Sequence, residues 1–169
     1  MIYIIDGYNV MHAMEGDGGL RAGELEEKRR RFVEGVISHA ASMGVKTIIV
    51  FDSAQARASK SHSIQGTPVT LKFASAAESA DVIIGRLVQQ HLAGTRQRIR
   101  VVSADWEVQK GAMQPRVERI PPRHFIAEIK NLEKRVAKST KKDRIRWKLE
   151  HKLDVETLEK LERLRRGGR

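Results

Sequence analysis

Three short apolar runs, IYII, TIIVF and IRVV, are each followed within three residues by an aspartate. Runs of this length and near-continuity suit buried strands covered on both faces rather than one-sided amphipathic strands. Between them lie segments with apolar residues at helical spacing. Leu25, Phe32, Val33, Val36, Ile37 and Ala40 recur along a helix predicted from Leu20 to Met43, and Gly44 stands where its C-cap belongs. Val82, Ile83, Leu87 and Val88 give the apolar face of a second helix, predicted from Ala76 to Leu92. Strands alternating with such helices predict an α/β fold with a mainly parallel sheet.

The remaining elements follow the same reading. Ile2–Ile5, Lys46–Phe51, Val69–Phe73 and Ile99–Val102 are predicted strands, and Arg116–Ile120 an outer one. A Gly-rich loop with Gly16, Gly18 and Gly19 follows the first strand, and Ser53–Gly66 reads as a polar loop. A short helix is expected over Trp106–Met113, and Pro121-Pro122 opens another that runs to about Lys134. No internal repeat is present. After about Lys134 the chemistry changes: residues 133–169 hold 14 basic and 7 acidic side chains, so this segment carries +7 of the chain's +11. A domain at 1–132 with a basic helical C-terminal extension at 133–169 is therefore expected. That extension is either an RNA-contacting arm or a solvated helix that packs by its leucines or dimerises.

The charge and a pI near 10.3 favour polyanionic partners, nucleic acid first. The absence of cysteine excludes disulfides and thiolate metal sites and fits a reducing, cytoplasmic setting. The opening MIYIIDGYNV lacks a basic n-region and turns polar at Asp6, so no secretory leader is expected. No apolar stretch is long enough for a membrane span.

Asp6, Asp52 and Asp105 stand at the carboxyl ends of predicted strands, the rim where open α/β sheets bind ligands. Each singly could be a cap or turn residue; three on different strands point to one edge. In Ala77-Glu78-Ser79-Ala80-Asp81, Glu78 and Asp81 are three apart and would share a face at a helix start. The helix dipole alone accounts well for Glu78 and less well for Asp81. Two carboxylates ~4 Å apart repel by about 4 kcal/mol at an effective dielectric of ~20. Mg2+ or Mn2+, which take oxygen ligands and keep several waters, would remove that repulsion. Such a cation can also activate water and stabilise a phosphoryl oxygen. Clustered acids on a basic chain thus suggest phosphodiester hydrolysis. In Asp6-Gly7-Tyr8-Asn9, Gly7 permits a tight turn, and Asn9 is either a turn residue or a partner of a carboxylate.

IIDGYNV, the strand ending VFD, the ESAD segment and VVSADWEVQ together resemble the NYN family of nucleases, in particular its YacP-like branch. The blocks fall in the family's order from Met1 to about Leu132. The resemblance implies a PIN-like, Rossmann-like core, a divalent metal and endoribonuclease activity. It implies that Asp6, Asp81 and Asp105 hold the metal, with Asn9 the companion of Asp6. Asp52 completes or borders the site, and Glu78 either binds metal or caps its helix. It also links the chain with mRNA cleavage at the ribosome. The basic segment after about Lys134 lies outside these motifs, and the loop after Asp52 carries no inherited substrate preference.

Tyr8, Arg57, Lys60 and Arg86 are candidates for contacting RNA: Tyr8 by stacking on a base, the others by holding phosphates. Each has a plain structural alternative, packing for Tyr8 and a solvated surface for the rest, as does the run Arg29-Arg30-Arg31. The six histidines show no metal-ligand spacing, and no glycine-rich or Walker-type nucleotide motif follows a strand. A metal-dependent endoribonuclease acting on single-stranded RNA is the expected function. The alternative is a non-catalytic RNA- or ribosome-binding module, which would gain nothing from clustered carboxylates; action on DNA is disfavoured by the short chain.

Overall fold

The computed structural model describes residues 1–15, 24–52, 60–75, 77–105 and 114–139. The expected Trp106–Met113 helix, the glycine loop, Arg57 and the far C-terminal helices lie outside the described residues. The chain divides into two compact units, Met1–Ile129 and Lys130–Arg169.

In the first unit, β1 (Ile2–Asp6) lies between β2 (Lys46–Phe51) and β5 (Ile99–Val102), parallel to both. The six-stranded sheet runs β3-β4-β2-β1-β5-β6. β4 (Val69–Phe73) and β6 (Val117–Ile120) are parallel to their inner neighbours, and β3 (Lys60–Ser63) is antiparallel to β4. This is the expected PIN-like α/β fold.

All five residues of β1 are buried, and they alternate between two cores. Tyr3 and Ile5 join Phe32, Val36 and Ala40 of α2 (Leu25–Met43) on one face, with Phe125, Ile126 and Ile129 of α4 (residues 122–139). Ile2 and Ile4 join Ile83, Ile84, Leu87 and Val88 of α3 (Ala80–Gly94) on the other. The chain leaves β1 toward β2 and later returns across the sheet to β5. β1 therefore marks the topological switch, and its carboxyl end opens on the crevice where such sheets bind ligands.

Three sequence expectations change. Helix α1 (Gly7–Glu15) begins directly after β1, where a turn and glycine loop were expected. Asp6 caps it: its Oδ1 accepts a hydrogen bond from the Asn9 N–H at 3.0 Å. Gly7 is needed for close approach, because an added Cβ would lie 2.3 Å from the Phe51 ring. Second, part of the polar loop after Asp52 is the edge strand β3, whose four residues are all exposed and so carry no apolar signal. Third, α3 starts at Ala80 rather than Ala76. Ser79 is its N-cap and accepts from the Val82 N–H, leaving Glu78 ahead of the helix rather than on its first turn. Gly44 does cap α2, in the left-handed conformation (φ 62°) with its N–H on the Ala40 and Ala41 carbonyls.

Candidate active site

Four of the acids singled out in the sequence come to the carboxyl-end rim, and they repel one another. Burial raises the Asp6 carboxyl; the Asn9 N–H opposes this, and the charges of Asp81 and Asp52 add to it, bringing it to about 6. Burial also raises Asp81, helped by the charges of Asp105 and Asp52. Asp6 is 9% exposed and Asp81 half-buried, so solvent screens their repulsion poorly.

Hydrogen bonds fix this arrangement. Asp52 Oδ1 accepts from the Ala80 N–H at 2.8 Å, tying the end of β2 to the start of α3, one residue before Asp81. Asn9 Oδ1 accepts from the Ala104 N–H at 2.9 Å, tying α1 to the segment after β5. Buried Ser103 donates to Asp6 Oδ2 at 3.5 Å and accepts from the Asp105 N–H at 3.0 Å. Asp6, Asn9, Ala104 and Ser103 thus close a ring that spans β1 and β5. Ser103 was missed in the sequence; its signal was its place within the SAD block.

Glu78 forms an ion pair with Arg86. Lys60 is exposed on edge strand β3. Tyr8 is half-buried, its ring edge-on to Phe51 at 5.2 Å between centroids. The arginine run of α2 is engaged by its own helix: Arg29 with Glu26, Arg30 with Glu27 and Glu34, and Arg31 with Glu27. For Arg30 and Arg31 this is the salt-bridge-laced, solvated face that i,i+3 and i,i+4 pairing produces, whereas Arg29 is half-buried and its guanidinium lies over the Phe51 and Phe73 rings at 5.9 and 5.6 Å.

Carboxylate oxygens, with Asp6 and Asp81 both raised in proton affinity, are the donor type a hard divalent cation takes. Among the described residues, however, no three acidic or histidine side chains converge closely enough to hold an ion directly. The arrangement suits a cation that keeps several of its waters, as Mg2+ does, with one or two carboxylates touching it.

The profile of the YacP-like NYN domain matches residues 3–166. The chain belongs to the YacP-like NYN family. The match runs well past Leu132, so the basic C-terminal segment falls within the family's length rather than beyond it. The chain is 26% identical to the uncharacterized protein YacP of Bacillus subtilis (strain 168) over 98% of its own length and 97% of that protein's. It is also similar to two crystal structures of Rae1 (YacP) from Bacillus subtilis. A tryptophan-to-leucine variant aligns with a TM-score of 0.69 at 25% identity, covering 84% of this chain and 82% of that one. The other aligns at 0.68 and 24%, covering 99% and 95%. Family membership implies nuclease-type chemistry on RNA. No helix among the described residues is long and apolar enough to cross a membrane.

Proposed function

We propose that this chain is a divalent-metal-dependent endoribonuclease that hydrolyses phosphodiester bonds in single-stranded RNA. The observation that carries the reading is the mutual repulsion of Asp6, Asp52, Asp81 and Asp105 at the switch-point rim of a basic chain. Repulsion held in a folded protein is a standing demand for positive charge.

Asp6, Asp81 and Asp105 would hold Mg2+ or Mn2+, one or two of them directly and the rest through its waters, and Asp52 would border it while holding the start of α3. A cation there supplies electrophilic activation of the phosphodiester and of the attacking water. Asn9 and Ser103 act as positioning residues: they hold the acids in register through the ring that joins β1 to β5. A rim site is reached more readily by one strand than by a duplex. The mRNA substrate, the ribosome as partner and a cytoplasmic setting rest on the family resemblance.

One observation favours the second reading, a non-catalytic RNA- or ribosome-binding module: no three acids among the described residues converge in ligating contact. The experiment compares wild type with an Asp6→Asn, Asp81→Asn double variant on a labelled single-stranded RNA, with Mg2+, Mn2+ or EDTA. Cutting by wild type alone, stopped by EDTA, is expected. Silence of both proteins on free RNA and on translating ribosomes, with RNA binding unchanged by the substitutions, would leave the binding module.

A further inference from the structure

We propose that Ser61, Lys72 and Arg86 form a binding site for a backbone phosphate of the RNA strand, beside the cutting site, and that Glu78 occupies this site's arginine in the free protein. The proposal rests on the nuclease reading for the strand's path and reassigns Glu78, from candidate metal ligand to competitor of the substrate.

Ser61 and Lys72 are cross-strand partners, so their side chains share a face of the sheet. Lys72 also pairs with Val50 of β2, whose side chain lies in the core beneath α3. Both residues therefore stand on the α3 side. With Lys60, Phe73, Glu78, Ile83 and Arg86 they line a cavity of about 120 Å³. At about 30 Å³ per water that is room for a few waters, the scale of a phosphate group.

Among the described residues the cavity is lined by three cations and one carboxylate. A lysine on an exposed edge strand has a plain explanation, since charge there discourages strand-to-strand association. That explanation covers Lys60 but not Lys72, which is half-buried on the inner strand β4. Among the described residues neither lysine has a carboxylate within ion-pair distance.

Arg86 is the exception: it is paired with Glu78, and the glutamate is the less exposed partner, at 20% against 55%. A phosphate offers a guanidinium two oxygens in the bidentate geometry that arginine prefers. It would therefore compete with Glu78 for the same group.

Position links this cavity to the acids. Glu78, which lines it, is three residues before Asp81, and the Ala80 N–H between them is held by Asp52. A strand whose scissile phosphate lies at the acid rim thus runs onward past Arg86 and Lys72. Contacts of this kind set affinity and register without reading sequence. Glu78, by opposing the incoming phosphate, weakens binding and hastens release.

The test measures binding of a labelled single-stranded RNA to the full chain in EDTA, across a range of salt, for wild type, Lys72→Gln, Arg86→Gln and Glu78→Gln. Unfolding midpoints check that each variant is folded. Lys72→Gln and Arg86→Gln should each weaken binding about tenfold and make the log K against log salt slope shallower by roughly 0.7, the share of one phosphate contact on a single strand. Glu78→Gln should tighten binding several-fold, which a metal ligand or a merely structural glutamate would not do. Unchanged affinity and slope in both cation variants would overturn the proposal. So would saturable binding of inorganic phosphate that Lys72→Gln abolishes while RNA affinity stays the same, since that would make it a free-phosphate site.

Cleavage assays separate the two readings. The binding pattern in a wild type that cuts no RNA would keep the phosphate site and sink the nuclease. A cutting wild type whose Glu78→Gln variant loses cleavage without binding RNA more tightly would do the reverse.

Discussion

The two ends of β1 both carry polar side chains in a buried setting, but they solve the problem of burial in opposite ways. At the amino end, the Tyr3 hydroxyl accepts from Arg100 at 2.7 Å and donates to Glu128 at 3.5 Å. Arg100 is paired with Glu118 at 2.8 Å, and His39 Nε2 lies 3.3 Å from Glu128. Arg100 there has its counter-charge in Glu118, and Glu128 is met by the Tyr3 hydroxyl and the His39 ring. At the carboxyl end, Asp6, Asp52, Asp81 and Asp105 bring like charges together, and the Asn9 N–H, the Ala80 N–H and the Ser103 hydroxyl are among the groups that hold them. A buried polar cluster of opposite charges serves the fold; one that gathers like charges points outward, to a ligand. The contrast separates a structural from a functional cluster better than burial does.

The comparison breaks most sharply on activity. Asp6→Asn or Asp81→Asn should lower cleavage by roughly 1,000-fold, the scale of removing one preorganised charge-stabilising group. Either should leave stability in EDTA at pH 8 equal or higher, because a repelling charge has gone. Tyr3→Phe at the other end should do the opposite: rates within a few-fold of wild type, and about 1 kcal/mol less stability for the lost hydrogen bonds. Cleavage assays beside urea denaturation decide the matter, and a large loss of rate from Tyr3→Phe would erase the distinction between the ends.

Acidity sharpens it next. A carboxyl raised from 3.8 to about 6 in the folded state favours folding most below the unfolded value and loses that advantage as pH rises through about 6. The shift is worth on the order of 3 kcal/mol. His39 has the opposite sign. Burial lowers its pKa from 6.5, against the nearby Glu128 charge, so the stability it confers is present above 6.5 and falls away as pH drops. In metal-free urea melts, Asp6→Asn should flatten the loss on the alkaline side and His39→Gln the loss on the acid side. Millimolar Mg2+ or Mn2+ should restore the alkaline loss in wild type and leave the acid side unchanged.

Smaller effects come from packing and from the ring. Gly7→Ala forces a methyl into the Phe51 ring and should cost about 1–3 kcal/mol in denaturant midpoints. Ser103→Ala should lower the cleavage rate severalfold with little change in RNA affinity; Ser103→Thr, which keeps the hydroxyl, should recover part of it. A loss of affinity with unchanged rate would mean that Ser103 does not position the acids.

The strands that carry the acids were legible because burial on both faces writes near-continuous apolar runs, and Asp6, Asp52 and Asp105 follow those runs. β3 was not legible, since an exposed edge strand such as KSHS has no core to be patterned by. Helix α1 was hidden for a different reason. Asp6 ends a strand and caps a helix at once, so no turn separates the two elements. The start of α3 was misplaced because Ala76 and Ala77 suit a helix, whereas Ser79 decides where it begins. The contacts from Asp52 to Ala80 and from Asn9 to Ala104 join residues 28 and 95 positions apart, and local sequence carries no mark of such pairings.

The ring of Asp6, Asn9, Ala104 and Ser103 has a further consequence, in time rather than in energy. Ala104 is exposed and lies outside any strand or helix, where an amide would exchange its hydrogen with solvent almost freely. Here that amide is donated to Asn9 Oδ1, and its exchange waits on the opening of the ring. The Ala104 amide thus becomes a clock for the cutting edge of the molecule. Its exchange rate reports how often the β1–β5 frame comes apart, with or without a cation or an RNA strand in place.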